Sequence, residues 1–261
     1  MKLKKIIFFS LVVFLICFIQ NSAKAENDPV MITISNDKEN LVFDGKWSNV
    51  NEWKQSSLNE FIFEDKNKII LRTAHQGDFI YILIDAISDF NLDKGADKAI
   101  VCFDANNDKT TIAGEDDFCF GVSLGNNNSF VLQGGEDIVL TNNFEKIPNP
   151  IGFIGIGGVS DQNDRYTQTP HSSYEFKIPI ELLDRSDNYG FYISVYDANS
   201  DKFYSWPNVN PQKPLKIPSP DKWGDIISPD KSIPEFDWPV FLLLPSLLLV
   251  IYLTRKKNII K

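Results

Sequence analysis

One loop of the sequence carries oxygen-bearing side chains at a spacing that suits a metal ion. Asp104, Asn106 and Asp108 occupy alternate positions, and Glu115 is the twelfth residue counted from Asp104. Loops that enclose calcium use carboxylate and amide oxygens in this way, and an EF-hand places its bidentate glutamate at the twelfth position. Lys109 replaces the glycine that an EF-hand needs, and no helix is predicted on either side. We therefore predict a calcium-binding oxygen cage. The alternative is a solvated acidic turn, which Asp and Asn favour without a metal.

Two cysteines flank this loop. Cys102 and Cys119 are the cysteines that remain once an export signal containing Cys17 is removed. They lie in predicted strands, at 100–104 and 118–124, which one loop joins and which we expect to be antiparallel neighbours. An exported protein meets oxidising surroundings, so we predict a disulfide between Cys102 and Cys119. Free buried cysteines are the alternative.

Aromatic side chains indicate a second kind of site. A pyranose ring presents apolar C–H faces and a rim of hydroxyls, so sugar sites combine exposed aromatic rings with hydrogen-bonding side chains. The candidates for sugar binding are Trp47, Trp206, Trp223, Tyr192 and Tyr196, with Tyr204 behind them. Each of them could instead pack in the core, where most aromatic side chains lie. Trp53 is assigned to the core, closing one end of the domain.

Patterns for catalysis and haem binding are weak. The sequence has no His-Glu-x-x-His motif and no phosphate-binding glycine loop, and among 35 acidic residues any carboxylate pair is unremarkable. We therefore predict that the protein is not an enzyme. Haem would need axial ligands such as Met31, His75 or His171. Both histidines fall in predicted turns or loops and are expected to be exposed, so no haem is expected.

The N-terminus has the pattern of an export signal. Three lysines precede the apolar run 6–19, and the small residues Ala23 and Ala25 then match the pattern that a signal peptidase recognises. We predict that residues 1–25 are a signal peptide, cleaved before Glu26. A retained N-terminal anchor is the alternative.

The C-terminus has the pattern of a membrane anchor. Residues 238–253 are almost wholly apolar and precede the basic tail 255–261, which should stay in the cytoplasm. The tripeptide 234–236, Pro-Glu-Phe, resembles the start of the PEF-CTERM class of archaeal sorting signals, which implies an archaeosortase-like processing enzyme as a partner. Asp237 departs from the glycine that is common there. We predict one transmembrane helix within the anchor segment 233–254. An ordinary single-span anchor without processing is the alternative.

Charge is unevenly distributed along the chain. Residues 1–25 and 255–261 hold eight of the 26 basic side chains and no acidic one, so the segment between them carries 18 basic and 35 acidic side chains, a net charge of −17. A domain of this charge repels nucleic acid and anionic lipid and attracts cations. Nucleic acid is therefore excluded as a partner.

Between the two ends, the sequence predicts strands separated by turn-rich loops, with little helical periodicity. Segments 68–74 and 79–86 flank a turn and predict a hairpin, and further strands are predicted at 118–124, 174–178 and 191–196. Many short strands favour an all-β, antiparallel β-sandwich. The predicted organisation is an N-terminal extension at 26–39, a β-sandwich domain at 40–208 and a proline-rich stalk at 209–232.

Five short elements of this domain resemble, in order, the family 9 carbohydrate-binding modules and their DOMON-like relatives. They are Phe-Asp-Gly at 43–45 with Glu-Trp at 52–53, then 77–82, Phe-Asp at 103–104, 174–179 and 190–197. The resemblance covers about residues 40–208 and implies a sandwich of two antiparallel sheets. It also implies sugar binding in some members and haem binding in others, and family 9 modules hold structural calcium.

Together these observations predict a single-pass membrane protein whose large domain lies outside the cell, at the cell surface. Its predicted function is to bind carbohydrate, with glycans or other cell-envelope components as partners. A structural or adhesive envelope protein without a small ligand is the alternative, and a haem-binding redox domain is a third.

Overall fold

The computed structural model describes residues 28–125, 128–135, 143–213 and 216–229. The predicted signal peptide at 1–25, the sorting motif and anchor at 233–254 and the basic tail at 255–261 lie outside the described residues. Within the described ranges, no helix is long and apolar enough to cross a membrane.

The described residues are almost entirely β-structure. Their strands are β1 (Val30–Met31), β2 (Thr33–Ile34), β3 (Ser57–Ile62), β4 (Lys68–Gln76), β5 (Phe79–Ala86), β6 (Lys98–Asp104), β7 (Asp117–Ser123), β8 (Ser129–Gln133), β9 (Glu145–Ile147), β10 (Ile154–Val159), β11 (Ser172–Pro179), β12 (Asn188–Asp197), β13 (Lys202–Trp206) and β14 (Gly224–Ile227). Short 3-10 helices lie at Lys38–Asn40, Ile180–Leu182 and Pro220–Lys222. The predicted all-β class is confirmed.

The strands form two sheets that share one apolar core. The first sheet has the order β1-β14-β12-β6-β7-β8-β9, with β13 also paired to β12. The second has the order β10-β11-β5-β4-β2, with β3 also paired to β4. Alternate side chains of both sheets meet in the main core, as in a β-sandwich.

Both sheets are mixed, whereas the sequence predicted purely antiparallel ones. Strand β1 is parallel to β14, and β2 is parallel to β4. The same extended segment, 30–34, supplies both β1 and β2. Its single chain direction therefore sets the orientation of both pairs, and hydrophobic alternation alone carries no information about that direction.

The sandwich extends beyond the predicted limits of 40 and 208. Strands β1 and β2 lie in the predicted N-terminal extension, and β14 lies in the predicted stalk, yet all three pair within the two sheets. The stalk was predicted from its prolines. Proline also suits an irregular segment that lies flat against a sheet, and the described residues 207–213 and 216–223 lie there.

Strand β5 shows how the sandwich is layered. Ile82 and Ile84 point into the core between the sheets, whereas Tyr81 and Leu83 point to the opposite face of the second sheet. That outer face is buried as well, because the segment 35–56 covers it. The strand is therefore apolar on both faces, as expected of a strand covered on both sides.

Trp53 is fully buried, as predicted, but in a different place. It packs with Trp47, Tyr81 and Leu83 on the outer face of the second sheet, and does not close an end of the sandwich. Its indole N–H donates to Glu175 over 2.9 Å.

The outer face of the first sheet is covered in a similar way. Tyr192 on β12 packs with Cys102, Cys119 and Trp223 in a separate apolar cluster under residues 207–213 and 216–223. Cys102 and Cys119 lie directly opposite each other on antiparallel β6 and β7, with their Cα atoms 4.1 Å apart, and form a disulfide. The predicted pairing is confirmed.

Candidate functional site

Trp47 does not offer an open ring face. Only 1% of its surface is exposed, and its ring meets that of Tyr166 edge to face with centroids 5.9 Å apart. The guanidinium group of Arg72 lies 5.4 Å from the Trp47 ring centroid. The prediction that Trp47 binds sugar through an exposed face was wrong, because the segment 35–56 folds back over the sheet and buries it.

Tyr192 and Trp223 are also buried. Their rings stack with centroids 6.1 Å apart, and Trp223 stacks on Phe144 at 6.3 Å on its other side. The Tyr192 hydroxyl lies 3.0 Å from Ser205 Oγ and donates to the carbonyl of Val209 over 2.9 Å. Neither ring can stack on a sugar, so these two predicted contacts were wrong as well.

Trp206 lies in a different setting, at an open cleft along one side of the sandwich. The cleft runs between β3, an edge strand of the second sheet, and β13 of the first, and encloses about 850 Å³. We call it the edge cleft. Its lining residues are Glu60, Phe61, Ile62, Phe63, Glu64, Asp65, Asp201, Lys202, Phe203, Tyr204, Ser205, Trp206, Asn208 and Asn210.

Two pairs of aromatic rings form the floor of the edge cleft. Phe61 stacks on Trp206 with centroids 5.7 Å apart, and Phe63 meets Tyr204 at 5.1 Å. Each pair joins one sheet to the other, because alternate residues of β3 and β13 point inward at this edge. Trp206 is only 9% exposed, so it contributes an edge and not a whole face. Phe203 is half-buried at the rim.

Polar groups line the rims. The Asp65 carboxylate accepts hydrogen bonds from Lys202 Nζ over 3.0 Å and from the Tyr204 hydroxyl over 2.9 Å. The Lys202 ammonium and the other donors hold the pKa of Asp65 down at about 2. Asn208 and Asn210 are exposed beyond the end of β13. An apolar floor between polar rims is the general form of a small-ligand site.

Tyr196 lies beside the edge cleft but does not line it. Its ring packs on Phe203 with centroids 4.8 Å apart, and its hydroxyl donates to Asp201 over 2.7 Å. Among the predicted aromatic residues, the structure thus places Trp206 and Tyr204 in the cleft and Tyr196 next to it. Sequence reasoning missed Phe61 in β3 and Phe63, which directly follows that strand, because β3 was not predicted.

The loop predicted to bind calcium brings together a different set of side chains from the predicted one. Asp104 is buried at the end of β6, and its two carboxylate oxygens accept the backbone N–H groups of Asp108 and Lys109, over 3.2 and 3.0 Å. The side chains of Asn106, Asp108 and Glu115 are exposed, and neither Asp108 nor Glu115 belongs to the acidic group around Asp104. The structure does not bring the four predicted ligands together, and calcium binding itself stays a prediction.

Asp104 instead lies with Asp116 and Asp117, and a carboxylate oxygen from each falls within 4.8 Å of the others. Asp116 Oδ2 and Asp117 Oδ1 are buried and accept no hydrogen bond from the described residues. Burial raises the pKa of Asp117 to about 8, and the neighbouring carboxylates add to the rise. Buried oxygens without donors fit a cation, and the donor set, oxygen alone, suits calcium.

His171 was expected to be exposed in a loop, and the structure buries it completely. Its Nε2 lies 2.6 Å from Asp85 Oδ1, and its Nδ1 lies 2.7 Å from Ser160 Oγ. Serine, histidine and aspartate in a row resemble a hydrolase triad, but all three are at most 3% exposed, so no substrate reaches the serine. The signal in the sequence was Asp85, a charge at the end of an apolar strand, which must find a partner when buried.

Residues 121–125, Gly-Val-Ser-Leu-Gly, match the pattern of a hydrolase nucleophile elbow. That motif needs a sharp turn between a strand and a helix. Here Ser123 is the last residue of β7 and is 9% exposed, and the next element among the described residues is the strand β8. The match therefore does not indicate a catalytic serine.

No protein-family model matches the chain, and no curated protein matches it. Among solved structures, it is similar to a family 9 carbohydrate-binding module from Caldicellulosiruptor kristjanssonii in complex with cellotriose, at 15% identity and a TM-score of 0.46. The match covers 79% of this chain and 98% of that one. Similarity at this level carries no argument about function, which rests on the residues described above.

Proposed function

We propose that this domain is a non-catalytic carbohydrate-binding module that holds a glycan in the edge cleft. The observation that carries the proposal is the aromatic floor, Phe61 with Trp206 and Phe63 with Tyr204, between two polar rims. A sugar needs both features, because its C–H faces pack on rings and its hydroxyls need hydrogen-bonding partners. The cleft is open along one side, which suits a chain of sugars that extends past both of its ends.

The charge of the edge cleft favours a neutral glycan. Glu60, Glu64, Asp65 and Asp201 line it, against a single basic residue, Lys202. Lys202 pairs with Asp65, and lysines outside the lining pair with Glu60 and Asp201, so no lining cation is left to bind uronic acids or phosphorylated polymers. Carboxylates and the two asparagines at the rim are instead good partners for sugar hydroxyls.

We also propose that calcium binds at Asp104, Asp116 and Asp117, the group with two buried oxygens that lack donors. These carboxylates would supply part of a coordination shell of six to eight oxygens, and the ion would neutralise their charge. Its role would be structural, because Asp104 and Asp117 are paired at the ends of β6 and β7 and flank the loop between them.

The proposed place of the module is the outer surface of the cell membrane. The predicted signal peptide at 1–25 and anchor at 233–254 both orient the domain outward, and the Cys102–Cys119 disulfide supports an oxidising exterior. An archaeosortase-like enzyme that processes the C-terminus remains part of this proposal, supported by the Pro-Glu-Phe tripeptide at 234–236.

Binding of neutral and anionic polysaccharides to the full chain in detergent tests the function. We expect a neutral glucan or mannan to bind and polygalacturonate not to bind. Phe203→Ala combined with Asn208→Ala should weaken binding roughly tenfold, which corresponds to about 1.4 kcal/mol. Ile151→Ala is the matched control, because Ile151 is 94% exposed beside β10, at the opposite edge of the second sheet.

Two results would count against the proposal. Equal binding by the double variant and the wild type would place the ligand elsewhere. Failure of every neutral polysaccharide to bind would favour the structural or adhesive envelope protein that the sequence left open.

A further inference from the structure

A second buried polar group lies on the outer side of the second sheet. Asp85 is on β5, His171 directly precedes β11, and Asp164 lies in the loop that joins β10 to β11. Asp85 and His171 are 0% exposed and Asp164 is 8% exposed. One ligand atom from each of the three falls within 4.8 Å of the others. This group is separate from the edge cleft and from Asp104.

The surroundings of His171 determine which ring nitrogen carries a proton. Nδ1 lies 2.8 Å from the carbonyl oxygen of Thr169, which can only accept a hydrogen bond, and 2.7 Å from Ser160 Oγ, which can accept or donate one. A proton on Nδ1 satisfies both contacts, and the neutral ring then turns the lone pair of Nε2 toward Asp85 Oδ1, 2.6 Å away. A lone pair facing a carboxylate at this distance is repulsive, so either a second proton or a metal ion must lie between them.

The two carboxylates favour the metal ion. Asp164 Oδ1 accepts the backbone N–H groups of Tyr166 and Thr167, over 2.7 and 3.0 Å. Asp164 Oδ2 and Asp85 Oδ2 are buried and accept no hydrogen bond from the described residues. A proton on His171 would balance one carboxylate, and the other would then need a second proton, shared between the Asp85 and Asp164 carboxyls, which lie within hydrogen-bond reach of each other. A divalent cation balances both and also fills the coordination of the two free oxygens.

We propose that His171 Nε2 and the carboxylates of Asp85 and Asp164 bind a divalent transition-metal ion of the zinc type. One imidazole with two carboxylates suits zinc and its neighbours, whereas calcium takes oxygen ligands. Ligating histidines commonly donate their other N–H to a backbone carbonyl, as His171 does to Thr169. Nε2 and the nearer Asp85 oxygen are now 2.6 Å apart. For both to bind one ion through bonds of about 2.0–2.2 Å, this distance must increase, but by less than about 1 Å. The ion would fasten the loop 160–171 to β5.

Cobalt(II) is the probe, because it replaces zinc and absorbs visible light when it is bound by nitrogen and oxygen ligands. The full chain in detergent is stripped with a chelator and titrated with Co²⁺, and then with Zn²⁺ as a competitor. We expect one equivalent of Co²⁺ to give visible bands that Zn²⁺ abolishes, and Zn²⁺ to raise the melting temperature.

Asp164→Asn is the test variant. Asparagine keeps an oxygen for the Tyr166 and Thr167 N–H groups and places an amide donor where Oδ2 was, so the metal-free variant should fold. We expect its affinity for Co²⁺ to fall roughly 100-fold or more, since even outer-shell partners contribute about 10- to 100-fold. Asp161→Asn is the control in the same loop, because Asp161 pairs with Lys46 and not with the group. It should bind Co²⁺ like the wild type.

Several results would overturn the proposal. The absence of Co²⁺ bands in folded wild-type protein would mean that His171 is simply a protonated partner of Asp85. Unchanged affinity in Asp164→Asn would place the ion elsewhere. Equal shifts of the melting temperature by Zn²⁺ and Ca²⁺, both retained in Asp164→Asn, would show only general screening of an acidic surface.

Discussion

Glu175 and the group of Asp104, Asp116 and Asp117 both bury negative charge, and they deal with it in opposite ways. The Glu175 carboxylate accepts the indole N–H of Trp53 over 2.9 Å and the backbone N–H groups of Asp44 and Gly45 over 3.0 and 2.8 Å. Burial raises the pKa of Glu175, and these donors oppose the rise. The aspartate group leaves two buried oxygens without donors.

The two sites differ in how many hydrogen-bond donors the neighbouring segments of the chain supply. At Glu175, the segment 35–56 crosses the sheet and turns two N–H groups inward at Asp44 and Gly45. Gly45 has φ 83°, and a Cβ there would fall 2.3 Å from the backbone nitrogen of Gly158. Only glycine permits this approach. The loop 104–117 donates backbone N–H groups to Asp104 and to one oxygen of Asp117, but among the described residues none donates to Asp116 Oδ2 or Asp117 Oδ1. The proposed calcium ion would compensate for these two oxygens.

Removal of Glu175 should have the largest effect. Glu175→Ala leaves three N–H groups without an acceptor, so we expect a loss of roughly 3–5 kcal/mol in the free energy of unfolding, measured by denaturant titration with a chelator present. Glu175→Gln keeps one acceptor oxygen and should lose less.

Glu181→Ala is the matched control for Glu175→Ala, because Glu181 is exposed in the short helix that follows β11. It should change stability by no more than about 0.5 kcal/mol. A comparably small loss in Glu175→Ala would mean that the segment 35–56 is held by apolar packing alone, and the contrast between the two carboxylate sites would disappear.

Removal of the disulfide tests how much the covalent link stabilises the loop that carries Asp104, Asp116 and Asp117. Cys102 and Cys119 close a loop with a sequence separation of 17, and the loop carries all three aspartates near or at its ends. Replacing both cysteines by alanine should cost about 3 kcal/mol in the free energy of unfolding. Because β6 and β7 pair over seven residues, the register should persist, and calcium should still stabilise the variant. Loss of the calcium effect in that variant would show that the disulfide, and not the strand pairing, positions the carboxylates.

Calcium should reverse the effect of one substitution on the stability of the fold, from stabilising to destabilising. At a hundred times its dissociation constant, calcium adds about 2.7 kcal/mol to the wild type by binding the folded state alone. Asp117→Asn removes both a proposed ligand and a buried charge, since burial and then the neighbouring Asp104 and Asp116 raise the pKa of Asp117. We expect the variant to be more stable than the wild type by roughly 1 kcal/mol in chelator and less stable in calcium. Melting curves in calcium and in magnesium at matched ionic strength decide the point: equal shifts would mean that the loop is only an acidic turn.

Local patterns in the sequence predicted the parts of the fold that depend on neighbouring residues. The hairpin of β4 and β5, the disulfide and the burial of Trp53 followed from turn residues, alternation and compartment. Asp104 was identified as a metal ligand candidate because it starts an oxygen-rich loop. Its partners were missed, because the loop folds back and brings in Asp116 and Asp117 in place of the residues at regular spacing.

The remaining errors have one physical cause. Irregular residues, 35–56 on one side and 207–213 with 216–223 on the other, cover the outer faces of the sheets. Nothing in their composition distinguishes a covering segment from an extension or a stalk. Trp47 and Trp223 lie within these two segments and are therefore buried. The same covering layer, with the loop 160–171, encloses His171. Aromatic and polar residues in such segments cannot be assigned to surface or interior before the covering is known.

The carboxylate of Asp65 is exposed, in contrast to the buried carboxylates of Glu175 and Asp117, and we expect the smallest effect on stability there. Lys202 is the principal cause of its low pKa of about 2. A carboxylate whose pKa is depressed in the folded state stabilises the fold above its unfolded pKa, and this contribution is lost as the pH falls from about 4 toward 2. Lys202→Met should let the pKa of Asp65 rise toward its usual value near 3.8, although the Tyr204 hydroxyl still donates to it. NMR titration of the side-chain carboxyl carbon measures this rise, and Lys146→Met, on exposed β9, is the control that should leave it unchanged. An unaltered pKa of Asp65 in Lys202→Met would show that neutral hydrogen-bond donors, and not the ammonium charge, set the pKa of this exposed carboxylate. Neutral donors would then stabilise a carboxylate at the surface as they do at the buried Glu175.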